Sequence, residues 1–305
     1  MHMRDVFKRQ KTTFSFEFFP PKSEKGAESL FRTIAELEKL EPTFVSVTSG
    51  AGGSTRALTS ELVARIRKET TLSPMPHLTC VCQKADEIEE ILEDYCSQGI
   101  GNILALRGDP PAGKPGHRHE DDDYRYAAQL VAAIKRFNER GKHPNGKGFG
   151  IGVAGFPAGH PATPNRLTEM DHLRAKVDAG ADFVITQLFF DNHTFLDYRD
   201  RCRHVGIDVP IIAGIMPVTS LAGMRRMAEL ALGTTFPAKM LRALDRTNGD
   251  DEAVRRVGVH WATQQCAELL DAGVDGIHFY TLNNSTATRD IYASLGVNTS
   301  SQLAS

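Results

Sequence analysis

The sequence predicts a (β/α)8 barrel of the TIM type with extra helices, one catalytic domain running over residues 1–305. Three observations predict it. Short apolar runs of strand length alternate with segments whose apolar residues recur at helical spacing, along the whole chain. Glycine follows a helical segment and precedes an apolar run four times, at Gly99, Gly180, Gly206 and Gly273. There it supplies the left-handed turn back into a sheet, and such units are what a parallel sheet with crossover helices needs. The third observation is length: 305 residues exceed the roughly 250 of a simple barrel, which leaves room for additional helices. Two domains are the other arrangement that this length allows. A doubly wound open sheet is the alternative fold, but no G-x-G-x-x-G follows the first strand.

The first strand lies in Thr13 to Pro21. Phe14, Phe16, Phe18 and Phe19 form its apolar run, and Pro20-Pro21 ends it because proline cannot donate to a sheet ladder. Glu17 stands in the middle. A carboxylate there is either salt-bridged or rim-exposed, the ordinary outcome, or set against an apolar wall with a proton to give. Ser23 to Leu40 reads as a helix, with Leu30, Ile34, Leu37 and Leu40 on one face and Ser23 as N-cap. Phe44 to Thr48 is the second strand, bounded by Gly50-Ala51-Gly52-Gly53, and a helix through Leu62 and Ile66 follows. Pro76 to Val81 is the third strand, before a helix with Ile88, Ile91, Leu92 and Tyr95. Asn102 to Leu106 is the fourth and ends in Arg107-Gly108-Asp109.

Pro110 to Asp123 breaks the rhythm with Pro110, Pro111, Gly113, Pro115 and Gly116 and a charged cluster from His117 onward. Loops of this length tend to be lids, binding loops or disordered. A helix resumes at Tyr124, and the polar turn Lys142 to Lys147 leads to the fifth strand, Phe149 to Gly155. Its glycines let a backbone or ligand approach closely. A helix to Asp178, strands at Phe183 to Gln187 and Ile211 to Ile215, and a helical region from Thr219 follow. A long amphipathic helix from Asp251 to Leu270, an eighth strand from Ile277 to Leu282 and a helix around Asp290 to Leu295 complete the count.

Composition narrows the function. A formal charge of -2, with no basic run, gives no electrostatic case for nucleic acid or an anionic membrane. No segment approaches the roughly 20 apolar residues of a membrane span, and no signal-peptide core follows the basic Met1 to Lys11, so a cytoplasmic protein is expected. The five cysteines, Cys80, Cys82, Cys96, Cys202 and Cys266, are odd in number and scattered, which argues against a disulfide framework. Cys80 and Cys82 would share a strand face, yet no second Cys or His pair completes a zinc pattern, and no metal is expected.

A barrel carries its active site at the C-terminal ends of its strands. Polar residues at or just beyond those ends are Glu17, Thr48, His77, Arg107 with Asp109, His160, Gln187, and Tyr280 with Asn283. Strands buried on both faces read as apolar runs, so this set is informative, although His77 alone reads equally as a core histidine, Gln187 as a capping amide and Thr48 as a β-former. Two carboxylates, Glu17 and Asp109, from different strands suit a site that supplies both an acid and an anion. Arg107 offers a fork for phosphate or a carbonyl-rich ring. No Ser-His-Asp order, paired catalytic Cys, zinc helix or P-loop is present.

Seven motifs then carry a resemblance: S-F-E-F-F-P-P (Ser15 to Pro21), F-V-S-V-T (Phe44 to Thr48), P-H-L-T-C (Pro76 to Cys80), A-L-R-G-D (Ala105 to Asp109), K-V-D-A-G-A (Lys176 to Ala181), I-T-Q-L-F-F-D (Ile185 to Asp191) and H-F-Y-T-L-N (His278 to Asn283). In order and spacing, over nearly the whole chain, they resemble methylenetetrahydrofolate reductases of the bacterial single-domain type. The resemblance implies a flavoprotein barrel of one-carbon metabolism and methionine biosynthesis that uses NAD(P)H and bound FAD to reduce 5,10-methylenetetrahydrofolate to 5-methyltetrahydrofolate. It implies Glu17 as the acid that protonates the folate N10, a role that needs a carboxyl still protonated near neutrality. It implies Asp109 beside flavin and pterin, with Gln187, Leu221 and Tyr280 also on the substrate side. Thr48, His77, Arg107, Gly108, Tyr126, Ala127, Ala154, Phe156, His160, Glu169, His172 and Lys176 match FAD-contacting positions, with Arg107 and Lys176 as phosphate partners. A homo-oligomer is also expected.

The chain departs from the family at several places. Phe156-Pro157-Ala158 stands for the usual Y-P-E, His172 and Ala175 replace polar and basic flavin contacts, Leu221 replaces the aromatic against which nicotinamide stacks, and Asn284 replaces an arginine. Two rival readings follow: a flavin-free barrel lyase using Glu17 and Asp109, and a folate- or flavin-binding barrel that has lost turnover.

Overall fold

Eight parallel strands close into a barrel in strict sequence order: β1 (Thr13–Phe18), β2 (Phe44–Val47), β3 (Pro74–Thr79), β4 (Asn102–Leu106), β5 (Gly150–Gly155), β6 (Phe183–Thr186), β7 (Ile211–Ile215) and β8 (Gly276–Tyr280), which pairs back onto β1. The computed structural model describes residues 1–50, 55–110, 117–160, 162–231 and 233–304; Ala51-Gly52-Gly53 and the Pro111, Gly113, Pro115 and Gly116 of the long loop lie outside them, as do the side chains of residues 229 and 230. The helices are α1 (Met3–Phe7), α2 (Glu24–Glu38), α3 (Arg56–Glu69), α4 (Ala85–Ser97), α5 (Ala127–Glu139), α6 (Arg166–Asp178), α7 (Asn192–His204), α8 (Leu221–Leu230), α9 (Ala238–Asp245), α10 (Asp251–Asp271) and α11 (Thr286–Ser294). The barrel expectation is therefore met, and the open-sheet alternative is not. Among the described residues no helix is long and apolar enough to cross a membrane.

The apolar runs work because each strand is buried on both faces. Phe14, Phe16, Phe18, Val45, Val47, Ile103, Val153, Ile277 and Phe279 pack in one layer with helix residues such as Leu30, Ile34 and Leu269. The alternate residues Phe44, Met75, Leu104, Phe183, Ile185 and Ile212 form a separate inner cluster. Met3 and Val6 of α1 join that cluster and close the N-terminal end of the barrel. Asn102 fastens α1 in place, accepting the Met3 N–H at 2.9 Å and donating to the Met1 carbonyl at 3.0 Å, while Arg4 pairs with Asp182. Five residues are too few to show a helical period, and α1 is absent from the sequence reading for that reason.

Four strand ends differ from expectation. The second strand ends at Val47 instead of Thr48. The third strand begins and ends two residues earlier, the sixth ends at Thr186 instead of Gln187, and the eighth ends at Tyr280 instead of Leu282. Backbone conformation explains two of these: Cys82 (φ 57°), Leu282 (φ 49°) and Asn283 (φ 58°) take left-handed conformations that no strand continues through. Cys80 and Cys82 thus belong to a turn and do not share a strand face. Between β7 and β8 the chain inserts α8 and α9 before α10, and these bury Met216, Val218, Met227, Met240, Leu244 and Val254 in a further core of their own.

Candidate active site

With Phe14, Phe16 and Phe18 facing the helices, the pleat of β1 turns Ser15 and Glu17 toward the barrel axis. Glu17 is 5% exposed. Its Oε2 lies 3.5 Å from His77 Nε2 on β3 and 3.7 Å from His278 Nε2 on β8. Burial pushes the His77 imidazole down to about 4, against the opposing pull of the Glu17 charge and with a smaller push from His278, so its ring is neutral at physiological pH. His77 Nε2 has no hydrogen-bond partner among the described residues. His278 is the better anchored of the two: Ser15 Oγ lies 2.7 Å from its Nδ1, Ser46 Oγ 3.4 Å from its Nε2, and its ring stacks on Phe44 at 6.0 Å.

His278 is a site residue that the strand-end reading passed over. The signal available was its spacing of two from Tyr280, which puts both on one face of β8. The Tyr280 ring meets His278 edge-on at 5.2 Å, and its hydroxyl donates to the Thr186 carbonyl at 2.7 Å. Burial, with Glu17 nearby, holds that phenol well above its ordinary pKa, so it stays a donor. Gly214 makes the crossing possible, since a Cβ there would stand 2.8 Å from Tyr280 Cε2. Two further contacts fasten β1 to β8: Thr281 Oγ1 donates to the Glu17 carbonyl at 2.6 Å, and the Asn283 amide both accepts from the Phe19 N–H at 2.8 Å and donates to its carbonyl at 2.9 Å. Asn283 is thereby a clamp on the strand that carries Glu17.

The second cluster lies on the β4 to β6 side. Arg107 and Gly108 are half-buried and Asp109 is exposed. Gly108 has φ +86°, and a Cβ on it would lie 2.6 Å from Val81 Cγ1 and 2.9 Å from Thr79 Cβ, so this turn sits flush on the end of β3. Lys176 of α6 reaches back to β5 and donates to the Ala154 carbonyl at 2.5 Å. Burial lowers its ammonium to about 8, opposed by the Glu169 carboxylate and reinforced by Arg107. Burial also raises Glu169, and it lowers His160 together with the Arg107 charge, while Asp109 pulls His160 the other way. Phe156 meets His160 edge-on at 4.7 Å and has Lys176 Nζ 6.0 Å from its ring centre. Tyr126 and His172 stack at 5.4 Å near the surface, just ahead of Ala127, the first residue of α5.

The structure thus gathers Glu17, His77 and Tyr280 in one group and Arg107, Asp109, Phe156, His160, Glu169 and Lys176 in another. The remaining candidates are spread around these. Thr48 donates its N–H to the Phe18 carbonyl at 2.9 Å, Gln187 accepts the Leu188 N–H at 3.0 Å, and Leu221 packs against the core under α8. Cys82, His117 and Asp122, from two different loops, also meet, which no spacing in the sequence announces.

The model of the family described as methylenetetrahydrofolate reductase matches residues 2–296. The 5,10-methylenetetrahydrofolate reductase of Escherichia coli (strain K12) is 38% identical over 285 residues, which cover 93% of this chain and 90% of that protein. The chain belongs to the methylenetetrahydrofolate reductase family. Methylenetetrahydrofolate reductase (NADH) 1 of Arabidopsis thaliana is 41% identical over 304 residues, 97% of this chain and 50% of the plant protein. The chain spans about half the length of the plant members of the family that it matches. A Clostridium thermocellum protein whose structure binds two copies of 5-methyl-5,6,7,8-tetrahydrofolic acid shares the fold, with a TM-score of 0.61 at 14% identity, over 95% of this chain and 96% of that one. Methylenetetrahydrofolate reductases are generally flavin-dependent.

Proposed function

We propose that the chain catalyses the reduction of 5,10-methylenetetrahydrofolate to 5-methyltetrahydrofolate, with FAD bound on the β4 to β6 side and NAD(P)H as reductant. The observation that carries this reading is the setting of Glu17: an almost fully buried carboxyl at the mouth of the barrel, 3.5 Å from the neutral ring of His77, where a proton donor can be held against a substrate. Glu17 gives its proton to N10 of the folate. The bond between N10 and the methylene carbon breaks, and the carbon stays on N5 as an iminium open to hydride. His278, oriented by Ser15 and Ser46, and the clamp of Asn283 on Phe19 keep the Glu17 carboxyl in position. Asp109, exposed at the rim, is the anion that favours the cationic intermediate, and Gln187 and Tyr280 border the pterin.

The residues present fit a flavin dinucleotide. Arg107 and the partly desolvated Lys176 are suited to a pyrophosphate, as is the N-terminal end of α5 at Ala127. Gly108 keeps the turn beside them low, and the Tyr126-His172 stack offers a flat face to an aromatic base. Thr48, His77, Ala154, Phe156, His160 and Glu169 complete the proposed lining. Bound FAD would relay hydride from the nicotinamide to the methylene carbon.

Anaerobic half-reactions test this. Glu17→Gln is expected to leave flavin reduction by NADH within about twofold of the parent and to slow oxidation of reduced flavin by methylenetetrahydrofolate by about 10²-fold or more. Equal losses in both half-reactions, or a flavin that no nicotinamide reduces, would sink the proposal.

A further inference from the structure

A third cluster stands apart from both groups. Cys82, in the turn after β3, and His117, His119 and Asp122, in the loop between β4 and α5, meet at one point. Cys82 Sγ lies 3.6 Å from His117 Nδ1 and 3.7 Å from its Nε2. His117 Nε2 lies 3.2 Å from Asp122 Oδ2, and His119 Nδ1 lies 3.2 Å from the same oxygen. One ligand atom each from Cys82, His117 and Asp122 falls within 4.8 Å of the other two. Ligands held about 2.0 to 2.3 Å from a tetrahedral zinc ion stand roughly 3.3 to 3.6 Å from one another. The Cys82–His117 and His117–Asp122 separations are close to that size and the Cys82–Asp122 pair lies within 4.8 Å, so a modest closure would seat an ion.

The donor chemistry is selective. A thiolate, an imidazole and a carboxylate make a borderline-soft set that suits zinc and its transition-metal neighbours, whereas calcium and magnesium call for oxygen alone. The surroundings are built for the same end. The Asp122 carboxyl is 3% exposed, and its second oxygen accepts the Cys82 N–H at 2.9 Å. Cys82 holds φ 57°, a left-handed conformation that costs a cysteine about 1 kcal/mol and swings its thiol to the histidine. His119 steadies the shared Asp122 oxygen from the far side, its ring edge-on to His117 at 5.7 Å, and its Nε2 is buried with no partner among the described residues. Histidine and backbone donors on a ligating carboxylate are the usual support of a metal centre.

We propose that Cys82, His117 and Asp122 bind one zinc-class divalent cation, with His119 supporting Asp122 and water in the fourth position. The ion ties the turn after β3 to the loop that starts at Arg107-Gly108-Asp109. That joint already carries a second fastening, since Asp123 accepts from the Ala85 N–H at 2.9 Å and from Lys84 Nζ at 3.0 Å.

The full chain, stripped with chelator and titrated with Co²⁺, is expected to bind one equivalent and develop a near-ultraviolet thiolate-to-cobalt charge-transfer band, which Zn²⁺ then abolishes by displacement. Cys82→Ser should remove the band, His117→Ala and Asp122→Asn should weaken binding at least about tenfold, and His119→Ala should weaken it while retaining the band. Circular dichroism melts of the variants establish that each is folded, and His117→Ala stands in should Cys82→Ser fail to fold. Absence of stoichiometric cobalt binding, or a band that survives Cys82→Ser, would overturn the proposal and leave the cluster a hydrogen-bonded loop clip.

Discussion

If His77 is neutral because it is buried, replacing it should erase a specific part of the protein's acid sensitivity. The imidazole stands at about 4 in the folded chain against 6.5 for an ordinary histidine, with burial as the main cause. Between those values the unfolded chain carries a proton on residue 77 that the folded chain does not. Stability therefore increases with pH across this window and is lost as pH falls from 6.5 toward 4. The full difference corresponds to about 3 kcal/mol. His77→Leu keeps the volume and removes the titration, and because His77 Nε2 has no hydrogen-bond partner among the described residues, the substitution should cost about 1 kcal/mol or less at pH 7. Urea unfolding of parent and variant at a series of pH values reads the difference directly. The parent should lose about 3 kcal/mol relative to His77→Leu between the two limits, and NMR titration of the ring should give the same low midpoint. A stability difference that stays constant across the window would refute the reasoning, because the His77 ring would then take up its proton as readily in the folded chain as in the unfolded one.

Two further outcomes are expected. Gly108→Ala brings a Cβ to 2.6 Å from Val81 Cγ1 at a φ of +86°, and the strain and overpacking together should cost about 2 to 4 kcal/mol, lowering Tm and flavin affinity; a Tm within a degree of the parent would count against the turn geometry. With the Lys176 ammonium at about 8, affinity for the flavin dinucleotide should fall as pH rises through that value, and Lys176→Met should bind about tenfold or more weakly with that slope gone; an affinity flat from about pH 7 to 9 in the parent would show that the ammonium does not pair with phosphate.

Much of the fold was legible because a barrel strand is buried on both faces and must be apolar throughout, as Asn102–Leu106 and Ile211–Ile215 show by matching their expected bounds. Residues at strand ends were harder. The third and eighth strands were drawn two residues too far because Cys80, Val81, Thr281 and Leu282 have strand-like side chains, while the chain turns there through left-handed backbone at Cys82 and Leu282. α1 and α9, five and eight residues long, are too short for periodicity to distinguish them from loops.

The sequence by itself determined the alternation, the closed order of eight strands, the family, and the location of Glu17, His77, Arg107 and Tyr280 at strand ends, because these depend on side-chain kind and on spacing within one strand. Only the tertiary structure decided which of them face one another. Glu17 meets His77 and His278 because β8 pairs onto β1 with Glu17 opposite Tyr280, a contact across 263 positions that no local pattern encodes. Cys82 meets His117 and Asp122 because two neighbouring strands deliver their loops to the same rim, which turns a lone thiol and a charged loop into a constellation with metal-ligand spacing.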